Sequence, residues 1–156
     1  MGGCARILIV DDEESIRMTT ATILEAEGYI VDTAENGEEA IEKSQVNFYN
    51  VVLLDFRLPD MEGTELLTAL RETTPKMIKI MITGYPNLGN AVESVNKGAD
   101  AFLIKPVRME SLLNTIRDLL IKQQEANKYD QEKVKEFIGT RAREMETQER
   151  SEGPRL

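Results

Sequence analysis

Histidine is absent from the 156-residue chain. That absence excludes Ser-His-Asp and Cys-His nucleophiles, any imidazole metal site and a phosphohistidine donor. Metal or phosphoryl chemistry here must run on carboxylates, hydroxyls and lysine. Cysteine is nearly absent too, and the lone Cys4 forms no internal disulfide. No apolar run approaches the roughly 20 residues of a membrane span. The opening Met1-Gly2-Gly3-Cys4-Ala5-Arg6 leads into a strand-like run with no signal-peptide core. Gly2 invites a myristoylation reading, but Arg6 stands where that motif wants Ser or Thr. One thiol and no export signal make a reducing cytoplasm the expected home. Basic residues are the minority, 19 against 28 acidic, for a net charge of −9. Such a body repels nucleic acid and anionic membrane, so neither is expected as a direct partner.

What is present suits a globular domain with its own core, at 41% hydrophobic and 30% charged residues. Short apolar runs alternate with helical patterns five times. Arg6–Val10, Tyr29–Val31, Val51–Leu54, Ile78–Ile82 and Ala101–Ile104 read as strands. Near-continuous apolar runs suit a parallel sheet covered on both faces. Between them, Ile16, Ile23 and Leu24 share a helix face, as do Ala91, Val92 and Val95, then Leu112, Leu113, Ile116, Leu119 and Leu120. Asn36 with Glu39 fits an N-cap and its partner three residues on, and Gly28 and Gly98 sit where helix C-termini favour φ > 0. The (βα)5 order predicts an α/β fold, a doubly wound five-stranded parallel sheet.

Open α/β sheets gather ligands at the carboxyl ends of their strands. There the chain places Asp11-Asp12-Glu13-Glu14, Asp55, Thr83 and Lys105-Pro106. Singly, each has a plain explanation: a helix cap, a turn former, a loop hydroxyl, a surface charge. Together they form a chemistry. Carboxylates converging at one edge raise a pKa or recruit a cation, and an oxygen-only donor set selects a hard ion, Mg²⁺ above others. Lys105 would supply positive charge to an incoming phosphoryl group and Thr83 a hydrogen-bond donor. Phosphoryl transfer needs positioning and charge neutralisation above all. A carboxylate can then act as nucleophile and form an acyl phosphate. Asp55, single and central, is the candidate nucleophile; the Asp11-Asp12 pair is better suited to metal.

The motifs Ile9-Val10-Asp11-Asp12-Glu13, Leu54-Asp55-Phe56-Arg57-Leu58-Pro59-Asp60-Met61-Glu62-Gly63, Thr83-Gly84 and Lys105-Pro106 resemble the receiver domain of two-component response regulators. The resemblance covers roughly residues 5 to 124. It implies a flavodoxin-like fold phosphorylated on Asp55 by a sensor histidine kinase, and control of a downstream protein target. It implies Mg²⁺ held by Asp12, Asp55 and the backbone carbonyl of Arg57, with Asp11 assisting through water. Lys105 would contact the phosphoryl group, Thr83 would swing toward it, and Phe102, at the family's switch aromatic, would turn inward. The stretch from Thr83-Gly84-Tyr85 to Lys97-Gly98-Ala99-Asp100 is similar to receivers of enhancer-binding regulators, and hybrid kinases carry similar ones. For Phe102, which lacks the commoner tyrosine's hydroxyl, ordinary core packing is an equal alternative.

Two rivals come from other classes. A haloacid-dehalogenase-type phosphatase also uses an aspartate nucleophile but requires a second aspartate two residues later, where this chain has Arg57. A flavin module of this topology cradles phosphate on backbone N–H groups after strand one, where Asp11-Asp12-Glu13-Glu14 would repel it. A receiver is not expected to turn over substrate as an enzyme.

The fifth helix is expected to start near Met109, with the compact domain closing by about Gln124. Residues 125–156 form a charged extension, either helical or disordered, with 15 charges in 32 positions and apolar Val134, Phe137, Ile138 and Met145. Ser151-Glu152-Gly153-Pro154 reads as a frayed end. Leu113, Leu120 and Val134 share one heptad position and Ile116 and Phe137 another, but Gln123, Asn127, Asp130 and Arg141 interrupt that seam. Monomer and weak dimer are both open. So are a stand-alone receiver and a piece of a longer protein, since no effector domain follows Gln124.

Overall fold

The computed structural model describes residues 4–151, with side chains through Arg141. Five strands and five helices alternate: β1 (Arg6–Val10), α1 (Glu14–Ala26), β2 (Ile30–Ala34), α2 (Gly37–Val46), β3 (Val51–Asp55), α3 (Gly63–Ala69), β4 (Ile78–Thr83), α4 (Leu88–Asn96), β5 (Ala101–Ile104) and α5 (Met109–Ser151). The strands form one parallel sheet in the order β2-β1-β3-β4-β5. The order reverses between β1 and β3, which opens a crevice at their carboxyl ends.

Strand alternation explains the two layers. Leu8, Val10, Val52, Leu54 and Met81 meet Ala40, Leu66 and Leu67 of α2 and α3 on one face. Ile7, Ile9, Val51, Leu53, Ile78 and Ile80 meet Ala21 and Leu24 of α1 and Leu112, Ile116 and Leu120 of α5 on the other. All five residues of β3 are buried, as befits the central strand. Lys79 is the exception in its layer: buried on β4, it donates from Nζ to the Leu67 carbonyl (2.7 Å), an otherwise unpaired acceptor in the last turn of α3.

The local punctuation acts as expected. Asn36 Oδ1 accepts from Glu39 N at 2.8 Å, and Gly28 and Gly98 have φ of 94° and 105°. Three elements differ from the sequence reading. Strand β2 runs on to Ala34, because polar Asp32 and Thr33 pair with Leu8 and Ile9 at the sheet edge. The buried stripe of α1 is Arg17, Thr20, Ala21 and Leu24, one position round from Ile16 and Ile23. In α4 the buried residue is Ser94, while Val92 and Val95 lie in solvent.

Helix α5 is a single 43-residue helix, about 65 Å long at 1.5 Å per residue. Among the described side chains Gln123 is the last buried one: its Nε2 donates to the carbonyls of Lys76 (2.8 Å) and Asn50 (3.2 Å). From Gln124 to Arg141 no side chain is buried. The frayed end read at Ser151-Glu152-Gly153-Pro154 lies, past Ser151, outside the described residues.

Candidate functional site

The reversal between β1 and β3 places Asp11 and Asp55 side by side. Asp11 follows the last residue of β1 and is held at three points. Its N–H donates to Ala34 O (3.2 Å), its Oδ1 accepts from Glu13 N (2.9 Å), and its carbonyl accepts from Arg17 Nη1 (2.7 Å). Asp12 stands exposed beside it. Asp55 ends β3 and is buried. The loop after it folds tightly over its backbone, with Gly63 N donating to Phe56 O at 2.6 Å. A Cβ at Gly63 would lie 2.3 Å from the Asp55 carbonyl oxygen, so only glycine permits this approach.

Lys105 closes the site from the loop after β5, where its N–H bonds to Thr83 O at 2.8 Å. Its ammonium bridges both buried aspartates, 3.1 Å from Asp11 Oδ2 and 3.0 Å from Asp55 Oδ2. Ligand oxygens of Asp11, Asp12 and Asp55 lie within 4.8 Å of one another. Three carboxylates thus face one ammonium, leaving net negative charge in a partly dry cleft.

The titration behaviour follows. Burial raises the Asp55 pKa above its ordinary 3.8, with Asp11 adding to the rise and Lys105 opposing it. Burial would lower the Lys105 pKa, but its bonds to Asp55 and Asp11 outweigh this and raise it. The lysine stays charged while the nucleophile candidate is held as a poorly solvated anion. An oxygen-only, electronegative cluster of this size fits a hard divalent cation.

The remaining expected residues sit around this centre. Thr83 ends β4, fully buried, and its hydroxyl accepts from Tyr85 N at 2.9 Å, leaving the hydroxyl proton free to be donated elsewhere. Phe102 pairs in register with Met81, two residues before Thr83, and packs half-buried against the same core layer. Arg57 donates weakly from its backbone to Asp55 Oδ1 (3.5 Å), while its exposed guanidinium stacks 4.2 Å from the Tyr85 ring centroid.

Several contributors escaped sequence reasoning. Arg17 anchors the Asp11 backbone from inside the α1 stripe, and the signal was an arginine at core spacing with Thr20, Ala21 and Leu24. Asp60 accepts at 2.9 Å from both Gly37 N and Glu38 N, tying the loop after β3 to the N-terminus of α2. Nothing local announced that pairing across the fold. Tyr85, as the stacking partner of Arg57, gave no signal either.

The chain matches the response regulator receiver domain family over residues 7–117. It is 37% identical over 131 residues to the transcriptional regulatory protein SrrA of Staphylococcus aureus, covering 80% of this chain and 54% of that one. The chain therefore spans about half the length of the curated relatives it matches. A CheY-like response regulator receiver domain protein from Methanospirillum hungatei is 46% identical with a TM-score of 0.76, covering 80% of this chain and 99% of that one. The beryllofluoride-activated NtrC4 receiver domain dimer is 40% identical with a TM-score of 0.71, covering 76% and 98%.

Proposed function

The chain belongs to the response-regulator receiver family of two-component signalling, and from that premise we propose that it takes a phosphoryl group on Asp55 from a sensor histidine kinase. The supporting observation is the Lys105 ammonium within 3.1 Å of both Asp55 and Asp11. Receivers are signalling domains, not generally classed as enzymes. The receiver spans residues 5–124, and residues 125–156 form an extension to it. No described helix is long and apolar enough to cross a membrane.

One Asp55 oxygen attacks phosphorus; the new O–P bond forms as the donor's N–P bond breaks, and the donor nitrogen keeps the electron pair. Bound Mg²⁺, held by Asp11, Asp12, Asp55 and the Arg57 carbonyl, would supply charge neutralisation for the transferred group. Lys105, already charged and already bonded to Asp55, would follow the charge onto the phosphoryl oxygens. Thr83 would donate its hydroxyl proton to one of them, and Phe102 would move with β4 and β5. Leu88, Val92, Val95 and Ile104 give the surface of α4 and β5 an exposed apolar character. That surface suits readout by a downstream protein.

The phosphatase alternative lacks an acid: two residues after Asp55 stands Arg57, whose guanidinium does not exchange protons near neutral pH. Fluoroberyllate, a phosphoryl mimic, tests the reading. Amide NMR shifts should require both Mg²⁺ and fluoroberyllate, and Asp55→Asn should abolish them. Shifts that persist in Asp55→Asn would remove Asp55 from the mechanism.

A further inference from the structure

Between α1 and α5 the sheet carries a cleft that the core does not fill. Its floor is Ile9, Leu53 and Ile82, with Ile16 of α1 and Leu112 of α5 as its walls. The space is about 520 Å³, within the ~300–1,000 Å³ of small-molecule sites. Exposed Ser15 and Thr19 on one side and exposed Pro106 on the other bring it to the surface. The cleft originates in α1. That helix buries Arg17, Thr20, Ala21 and Leu24, one position round from Ile16, which is left half-buried at the wall. Protein interiors rarely leave space of this size, and water solvates apolar walls poorly. An apolar body gains by displacing that water.

Two features give the space a polarity. One end is closed by Asp11, Asp55 and Lys105, and both aspartates are more than nine-tenths buried. With Asp12 beside them, three carboxylates face one ammonium, a net of two negative charges. The N-termini of α1 and α5 oppose this with at most about half a positive charge each. That end of the cleft is therefore electronegative, and Asp55 Oδ1 accepts only the 3.5 Å bond from Arg57 N. The second feature is Thr20. It is 6% exposed and lines the cleft, and its hydroxyl has no hydrogen-bond partner among the described residues. A hydroxyl so placed is a cost that a ligand in the cleft relieves.

We propose that the cleft binds a small hydrophobic amine, its apolar body between α1 and α5 and its ammonium among the carboxylates of Asp11 and Asp55. Thr20 supplies a hydrogen bond from inside the cleft. Charge excludes the rival ligand classes. A carboxylate or phosphate head would add to the crowding, and a neutral alcohol would leave it uncompensated. The ammonium meets the oxygens that a divalent cation would use, so amine and Mg²⁺ exclude each other. This last consequence rests on the proposed role of Asp55: a bound amine holds the site in its resting form, and the antagonism is reciprocal.

Calorimetric titration and NMR of the full chain test this with phenethylamine, phenethyl alcohol and phenylacetate, probes that share one apolar body. Without Mg²⁺ the amine should bind at least about fivefold tighter than the alcohol, with phenylacetate weakest. Methyl shifts should centre on Ile16, Leu53 and Leu112. Ile16→Trp, which fills the cleft, should abolish binding, with circular dichroism to show that the variant folds. Asp55→Asn should narrow the gap between amine and alcohol. The amine should also raise the Mg²⁺ concentration at which fluoroberyllate shifts appear. Fluoroberyllate shifts that never appear, even without amine, would sink the role of Asp55 and leave the titrations to judge the cleft. The cleft proposal is overturned by an amine that does not bind, or by an alcohol or acid that binds as tightly. Shifts centred instead on Leu88, Val92 and Val95 would overturn it, as would a folded Ile16→Trp chain that still binds the amine.

Discussion

At the scale of single residues, the site is a compromise between burial and charge. Asp55 is almost dry, and one ammonium shared with Asp11 does not offset the desolvation of its anion. A carboxylate whose folded pKa is raised contributes its full stability below the ordinary 3.8 and loses it as pH rises through the folded value. At neutral pH, therefore, ionised Asp55 destabilises the metal-free fold. Asp55→Asn should stabilise metal-free protein by about 1 kcal/mol, or about 3 °C in Tm. Thermal melts should show the gap to wild type narrowing as pH falls from neutral through the raised folded pKa toward the ordinary 3.8; a gap constant over that whole range would mean that Asp55 is not the strained group. Lys105 works in the opposite window. Its raised pKa contributes stability that persists below 10.5 and is lost as pH rises through the folded value. Lys105→Met should leave Asp11 and Asp55 facing each other unneutralised and lower the Tm at pH 7, most in the absence of Mg²⁺.

At the scale of elements, the loop after β3 is the tightest part of the machine. Gly63 sits against the Asp55 carbonyl and Asp60 holds the α2 N-terminus, so the loop has no slack. Gly63→Ala should cost about 2 kcal/mol or more and displace Asp55, which denaturant unfolding and fluoroberyllate affinity would both register. Thr83→Ala should still accept the mimic but lose most of the amide shifts on α4 and β5; equal shifts in wild type and variant would exclude Thr83 as the transmitter. Much of this layout was legible because strand ends are where an α/β sheet must put its chemistry. Asp11, Asp55, Thr83 and Lys105 each follow or end an apolar run, and the structure brings Asp11, Asp55 and Lys105 within bonding distance. What stayed hidden depends on partners distant in sequence. The Asp60–α2 cap spans 23 residues, and Arg17 reaches back to a carbonyl whose position only the fold defines. The apolar face of α4 marked a helix but pointed outward, because periodicity reveals that a stripe exists and not what covers it.

At the scale of the whole molecule, an acidic chain gathers three carboxylates of its described residues in one cleft. A cation that binds the native cluster and not the unfolded chain stabilises the fold by mass action. Millimolar Mg²⁺ should therefore raise the melting temperature of wild type and raise that of Asp12→Ala less. An unchanged melt would show that the three carboxylates do not act together. On the reading proposed above this cluster makes Asp55 a phosphoryl acceptor, and intact-mass spectrometry with acetyl phosphate as donor is the decisive test. Wild type with Mg²⁺ should gain one phosphoryl group, which base or hydroxylamine removes as it does from an acyl phosphate, and should gain none when Mg²⁺ is withheld from the reaction. Asp55→Asn should gain none. Labelling of Asp55→Asn to the wild-type extent, or labelling of wild type that maps to any other residue, would show that Asp55 is not the acceptor.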